Sequence, residues 1–193
     1  MRCFLAFDFN EEDKNKIKQI LKKLLKTKKF RILKEKGKLK VVQEKNFHIT
    51  FLFFEYLNEE LKEKIINKMK ELDFQNLELE IRKINYFKSR ENIRVIFLEV
   101  DNKIFQLINK YKEEFLDLGL DQERVKQLRE LKPHITIIRL RKPVKEEVIK
   151  KEIEEINEFL NNKKIRITLD SFALFKSTLL RTGPIYEKIF EIR

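Results

Sequence analysis

Only two histidines occur in the 193-residue chain, and both stand in the same tripeptide, His48-Ile49-Thr50 and His134-Ile135-Thr136. With six threonines in the chain, a Thr falls two places after a given His about one time in thirty, so two hits from two histidines have a chance on the order of one in a thousand. Two unrelated structural histidines would not be expected to match. Each tripeptide lies in an apolar run that reads as a β-strand, where residues i and i+2 point to one side. The repeated unit is therefore an imidazole beside a hydroxyl, made twice.

Two imidazoles and two hydroxyls converging, with no acidic cluster beside them, suit in-line displacement at phosphorus. One His would take a proton from the attacking oxygen and the other would protonate the departing one, from opposite sides of the phosphorus. The Thr50 and Thr136 hydroxyls would hold the non-bridging oxygens. An unperturbed pKa of about 6.5 makes both forms of histidine accessible near neutrality. The scheme requires no metal and no cofactor. A metal site would need a third or fourth ligand from outside the motifs, and no Gly-x-Ser-x-Gly elbow supports a serine nucleophile.

The elements that must position these groups recur in order. A strand, Cys3 to Phe9, and an amphipathic helix, Glu11 to Leu25 with Asn10 as its cap, precede His48. A strand, Arg94 to Val100, and a helix after Asn102 with Ile104, Leu107, Ile108, Tyr111, Phe115 and Leu118 on one stripe precede His134. Downstream of each motif a helix (Asn58 to Leu72, then Val144 to Leu160) leads to a strand (Leu77 to Phe87, then Ile165 to Phe175) that ends in Phe-Lys-Ser. The histidines are 86 residues apart and the Phe-Lys-Ser motifs 88 apart, so the two halves keep nearly one register. The expected organisation is a single bilobal unit, 1–193, with approximate repeats 1–92 and 93–193. An approximate two-fold axis would place the two histidines on opposite walls of one cleft.

The halves differ in two excursions. Lys26 to Asn46 is Lys-rich and reads as a β-hairpin with Arg31 to Leu33 and Leu39 to Val42 as arms; Gly119 to Pro133 lacks strand character. Substrate-specific loops are expected there. Lys88 and Lys176 of the two Phe-Lys-Ser motifs read as turn residues rather than phosphate ligands.

A chain of this length with 42% apolar residues can bury a substantial core. The net charge is +12 and the pI about 9.6, which suits a polyanionic partner and equally a solvated Lys/Glu surface. The single Cys3 excludes an intrachain disulfide and multi-cysteine metal sites, and a cytoplasmic location is expected. No signal peptide core or membrane span is read in the sequence, so no membrane partner is expected.

The paired motifs, with the opening Met1-Arg2-Cys3-Phe4-Leu5-Ala6-Phe7, the run Lys132-Pro133-His134-Ile135-Thr136-Ile137-Ile138-Arg139 and the closing Asp170-Ser171-Phe172-Ala173-Leu174-Phe175-Lys176-Ser177, resemble the two-histidine (2H) phosphoesterases. Within these the chain is most similar to the RNA 2′,3′-cyclic phosphodiesterases, also called 2′-5′ RNA ligases. The resemblance implies an α+β, bilobal pseudo-two-fold fold, with two mainly antiparallel sheets flanking a central cleft and helices on the outside. It implies metal-independent opening of RNA 2′,3′-cyclic phosphate ends to 2′-phosphomonoesters, with His48 as proton donor to the leaving 3′ oxygen and His134 as the base that activates water. Thr50 and Thr136 would hold the phosphate, and Arg139 would add a contact to it. Arg139 is out of phase with His134 and Thr136 unless a bulge intervenes.

The partners implied are RNA 3′ ends or nucleotides carrying a 2′,3′-cyclic phosphate, tRNA among them, bound by a monomer. Relatives often carry a Lys two places beyond the first Thr; here Leu52 stands there, facing His48 and Thr50 if the strand is regular. The Tyr-Arg-Ser common near the C-terminus reads Phe175-Lys176-Ser177, which replaces a bidentate fork with a point charge. A non-catalytic RNA-binding module and a ligase acting on tRNA fragments are the alternatives on the same residues.

Overall fold

The computed structural model describes residues 1–181 and 183–193. Its strands are β1 (Cys3–Phe9), β2 (Leu39–Val41), β3 (Ile49–Phe54), β4 (Leu77–Ser89), β5 (Asn92–Val100), β6 (Ile135–Lys145), β7 (Arg166–Leu180) and β8 (Gly183–Ile192). The helices are α1 (Glu11–Lys26), α2 (Lys28–Glu35), α3 (Glu59–Glu71), α4 (Ile104–Leu116), α5 (Gln122–Arg129) and α6 (Glu146–Lys163). Caps fix where two of these helices start. Asn10 Oδ1 accepts from Asp13 N at 2.8 Å, and Asn58 Oδ1 accepts from Leu61 N at 2.8 Å, which satisfies amides that have no partner within the helix.

All strand pairings are antiparallel. They fall into two four-stranded halves, β8-β7-β1-β3 and β4-β5-β6-β2. The halves are hydrogen-bonded to each other at both borders, through the single pair Ile49↔Ile135 between β3 and β6 and through Leu77–Glu80 of β4 against β7. The pairings therefore close into a ring of six strands. A crossover is built in: β4 lies in the half that holds the second His motif, and β7 in the half that holds the first.

Helix stripes and one face of the strands enclose the main core. Cys3, Leu5, Phe7 and Phe9 of β1 face it, beside Ile17 and Leu24 of α1, Ile108 and Phe115 of α4, and Ile149 and Ile153 of α6. The alternate residues of β1, Phe4 and Ala6, face the other way. They join Ala173 and Phe175 in a small second cluster, against which Phe53 and Tyr186 pack. The strand is thus buried on both faces, and the second face is the one that carries the histidines.

The excursion after α1 differs from the expected hairpin. Arg31 to Leu33 belongs to α2, because Phe30 and Leu33 sit at i, i+3 spacing and are both buried, a helical rather than a strand period. Leu39–Val41 is a strand as expected, but it pairs with Ile138–Leu140 of β6 rather than with its own neighbours. The second excursion contains α5, started by Asp121, whose side chain accepts from Arg124 N at 2.9 Å. Among the described residues no helix is long and apolar enough to cross a membrane.

Candidate active site

The two tripeptides meet at the one ladder pair that joins β3 to β6. Ile49 and Ile135 are directly opposed and both are fully buried in the main core, so their neighbours point to the opposite face. Antiparallel register then sets His48 opposite Thr136 and Thr50 opposite His134. Two imidazoles and two hydroxyls stand at alternate corners of a rectangle, and the histidines, as diagonal neighbours, have Cα atoms about 7–8 Å apart.

Each imidazole is fixed by the same local device. His48 Nδ1 lies 2.7 Å from Asn46 O, and His134 Nδ1 lies 2.6 Å from Lys132 O. A carbonyl only accepts, so in the neutral ring Nδ1 carries the hydrogen and Nε2 is the free base in both cases. His48 Nε2 accepts from Thr50 Oγ1 at 3.0 Å. The Asn46 amide donates to Pro184 O at 3.3 Å, tying the residue that orients His48 to the start of β8.

Aromatic rings enclose both imidazoles. His48 lies 4.8 Å from Phe4, 5.5 Å from Tyr186 and 6.4 Å from Phe175, centroid to centroid. His134 lies 4.9 Å from Phe87 and 5.1 Å from Phe97. The crossover of β4 and β7 explains the duplicated Phe-Lys-Ser: Phe87 packs on the second histidine and Phe175 on the first. Lys88 and Lys176 are exposed, and Lys88 pairs with Glu146 at 2.6 Å; contrary to the expectation of turn residues, both lie within strands, Lys88 in β4 and Lys176 in β7 between Cys3 and Glu187.

Burial governs the protonation of both histidines. Desolvation pushes His48 down to about 4, against the opposing pull of the Asn46 carbonyl and the Asp8 carboxylate; His134 and Arg139 add to the lowering. Burial also lowers His134, again opposed by its backbone carbonyl partner. Both rings are therefore neutral at pH 7 until an anion arrives to favour the imidazolium.

Two bulges, one just beyond each motif, decide which side chains reach the centre. Phe97 pairs with Thr136 and Ile96 with Ile138, so Ile137 is an extra residue on β6. The phase flips there, both Ile137 and Ile138 are buried, and Arg139 returns to the His134 and Thr136 face. The same event occurs on β3, where Ala6 pairs with Thr50 and Leu5 with Leu52, leaving Phe51 extra. The expectation that Leu52 shares the His48 face is overturned, because the strand is not regular: Leu52 is buried in the main core. Phe53 takes the position corresponding to Arg139, beneath the Arg2 guanidinium at 4.6 Å.

The rectangle opens two ways. His48, Thr136 and Arg139 line a cleft of about 570 Å³ walled by Leu39–Gln43, Arg141 and the start of β8. Thr50 and His134 line a smaller pocket of about 350 Å³ on the other side, with Phe53, Phe87 and Gln127. All five residues singled out in the sequence thus border one centre or its two mouths. Lys40, Arg141 and Tyr186 were not anticipated. Their signal is weak in the sequence: Lys40 reaches the cleft on β2, whose partner β6 is remote in the chain, and Tyr186 on β8, which is carried there by β7 pairing with the remote β1. Among the described residues no group of three His, Cys, Asp or Glu could hold a metal.

The model of the LigT-like phosphoesterase family matches residues 15–97 and again residues 98–186. The chain belongs to the LigT-like phosphoesterases. The RNA 2′,3′-cyclic phosphodiesterase of Methanocaldococcus jannaschii is 32% identical over 197 residues, 99% of each chain. The protein of that name from Thermotoga maritima is 28% identical, over 99% of this chain and 94% of its own. Among solved structures, TT0787 of Thermus thermophilus superposes with a TM-score of 0.72 at 22% identity, covering 99% of this chain and 96% of that one. The LigT of E. coli, solved with 3′-AMP, gives 0.64 at 17% identity over the same shares. These likenesses carry the fold: an α+β arrangement of antiparallel strands with the helices packed outside, as the LigT-like family implies.

Proposed function

We propose that this chain is an RNA 2′,3′-cyclic phosphodiesterase that opens the ring to a 2′-phosphomonoester by two-histidine acid-base catalysis. The observation that carries this reading is the Ile49↔Ile135 pair, beside which two imidazoles, each oriented by a backbone carbonyl, stand as diagonal neighbours on one face. Water attacks phosphorus while His134 Nε2 takes its proton. The P–O3′ bond breaks as His48 Nε2–H protonates the departing 3′ oxygen, and the 2′ ester remains. Thr50, Thr136 and Arg139 supply donors to the non-bridging oxygens.

The two mouths favour this allocation over its mirror image. A departing 3′ oxygen belongs to the ribose and so to the whole RNA, which needs the larger cleft beside His48. The attacking water needs only the smaller pocket beside His134. The test is incubation in EDTA with a short RNA ending in a 2′,3′-cyclic phosphate, followed by identification of the product end. A 2′-phosphate supports the reading; an intact ring despite bound RNA sinks it.

The pH dependence should carry the imprint of burial. Turnover needs His134 neutral and His48 protonated, so kcat/KM should be bell-shaped. Because both groups are lowered, both limbs should lie below the usual imidazole range, and above about pH 4 each unit removes tenfold of the protonated His48 in the unliganded protein. A bound phosphodiester anion favours the imidazolium, so the alkaline limb of kcat should lie at higher pH than that of kcat/KM. Pre-steady-state and steady-state profiles from pH 4 to 9 check this. A kcat/KM still rising between pH 7 and 9 would contradict the assignment.

A further inference from the structure

Past the Ile49↔Ile135 pair the two strands part. β6 takes β2 as its neighbour at Ile138–Leu140, and α5 packs against β3 in its place. An outward amide of β3 then needs an acceptor from outside the sheet, since a backbone N–H kept from water without a partner costs free energy. Gln127 of α5 supplies one: Phe53 N donates to Gln127 Oε1 at 3.2 Å. The other border of the ring is stitched in the same manner. β4 leaves β7 after Glu80, and there Asn157 of α6 accepts from Ile84 N at 2.6 Å and donates to Ile84 O at 3.1 Å. At both places where the ring of strands opens, an amide side chain on a helix stands in for a strand.

The stitch at Phe53 differs from the other in what lies beside it. Gln127 borders the smaller pocket together with Thr50, Phe53, Lys132 and His134. Lys132, whose carbonyl accepts the His134 Nδ1 hydrogen at 2.6 Å, lies only five positions after Gln127. Little slack separates the two. Leu128 is fully buried, Glu130 N donates to Lys126 O at 3.0 Å, and Pro133 fixes its own φ just before His134. A displacement of α5 from β3 is therefore passed on to the carbonyl that aims the imidazole. His48 is held by a separate tie, from Asn46 to Pro184, so the two rings are positioned independently.

We infer that Gln127 is a positioning residue for His134. Its bond to Phe53 N keeps α5 against β3, and through the Lys132 carbonyl it holds the His134 ring in register with Thr50 across the border of the two halves. Without the bond α5 can drift from β3, which turns the ring and widens the mouth from which water attacks. A misplacement of about 1 Å at a reacting group can cost about 100-fold in rate. Substrate binding should be spared, because the larger cleft is lined by other residues. The inference rests on the proposed function for the part His134 plays as the base; the tie itself does not depend on that reading.

Three variants test this. Gln127→Met keeps the length of the side chain and loses the acceptor, and should lower kcat about tenfold or more with KM within about threefold of wild type. Gln127→Glu keeps an acceptor for Phe53 N and should hold kcat within about threefold. Asn157→Leu removes the matching stitch at the other border and should also leave kcat within about threefold, since the nearby Phe87 stays paired with Val95 of β5. A wild-type kcat in Gln127→Met, a Gln127→Glu protein as slow as Gln127→Met, or an equal loss from Asn157→Leu overturns the inference. A second measurement needs no turnover. With only two histidines in the chain, the ring Cε1–H proton signals report each imidazole separately by NMR. Gln127→Met should shift or broaden the His134 signal and leave that of His48 in place; both unmoved, or both moved alike, overturns the inference as well. If wild type hydrolyses no RNA 2′,3′-cyclic phosphate, the proposed function fails while the spectra still decide what Gln127 holds.

Discussion

Replacing His48 or His134 by alanine is expected to lower kcat/KM on an RNA 2′,3′-cyclic phosphate by a factor of about 10²–10⁴ each, the usual contribution of a positioned acid or base. Neither change should unfold the protein. The register that assembles the centre is set by Ile49 and Ile135, both fully buried, and neither histidine supplies a bond between strands. RNA affinity should stay within a few-fold, because the phosphate contacts come from Thr50, Thr136 and Arg139. The double variant should be little worse than the poorer single one, since removing either end of a concerted proton transfer already disables it. Single-turnover rates, anisotropy and circular dichroism on the same preparations separate these effects. Equal loss of binding and turnover in a folded His48→Ala protein would point to a binding module in which the imidazoles are ligands rather than acid and base.

Much of this centre was legible in the chain because its parts are local. The i, i+2 spacing of His and Thr fixes their shared face, and the periodic stripe with Asn10 as its cap sets α1. The chemistry of two imidazoles and two hydroxyls needed no coordinates. What could not be read was pairing. Nothing in the sequence says that β4 joins the half holding the second motif, so the role of Phe87 and Phe175 as rings against the opposite histidine was hidden. The bulges are a subtler case. The runs Ile49-Thr50-Phe51-Leu52-Phe53-Phe54 and Ile135-Thr136-Ile137-Ile138 show almost no alternation, so apolar periodicity could not place the extra residue that turns Arg139 inward and Leu52 away. In α2 the buried pair Phe30 and Leu33 carried the helical signal, masked by the lysines around it.

Asp8→Ala is expected to destabilise the fold by about 3–5 kcal/mol, the range for breaking a buried ion pair from one side. The Asp8 side chain is 5% exposed and takes Lys14 Nζ of α1 at 2.9 Å on one oxygen and Lys188 Nζ of β8 at 3.0 Å on the other. Its own strand adds Phe9 N at 2.9 Å. Lys188 is 35% exposed and can rehydrate, but Lys14 is only 7% exposed and keeps only a longer contact, 3.9 Å, to the exposed Glu11, so the single variant leaves its charge poorly compensated in the interior. The double variant Asp8→Ala, Lys14→Met removes that buried charge and should recover most of the loss, the non-additivity expected of two charges in direct contact. Urea midpoints at unchanged m-value measure both; a loss below about 1 kcal/mol for Asp8→Ala would mean the pair is as well solvated as one on the surface. The same carboxylate also bears on catalysis. After burial and the Asn46 carbonyl, Asp8 is the next influence on His48, and it acts to raise the imidazolium against desolvation. Its removal should lower the protonated fraction of His48 at neutral pH and with it kcat/KM there, so one buried anion links the stability of β1 and β8 to the acid that β3 presents.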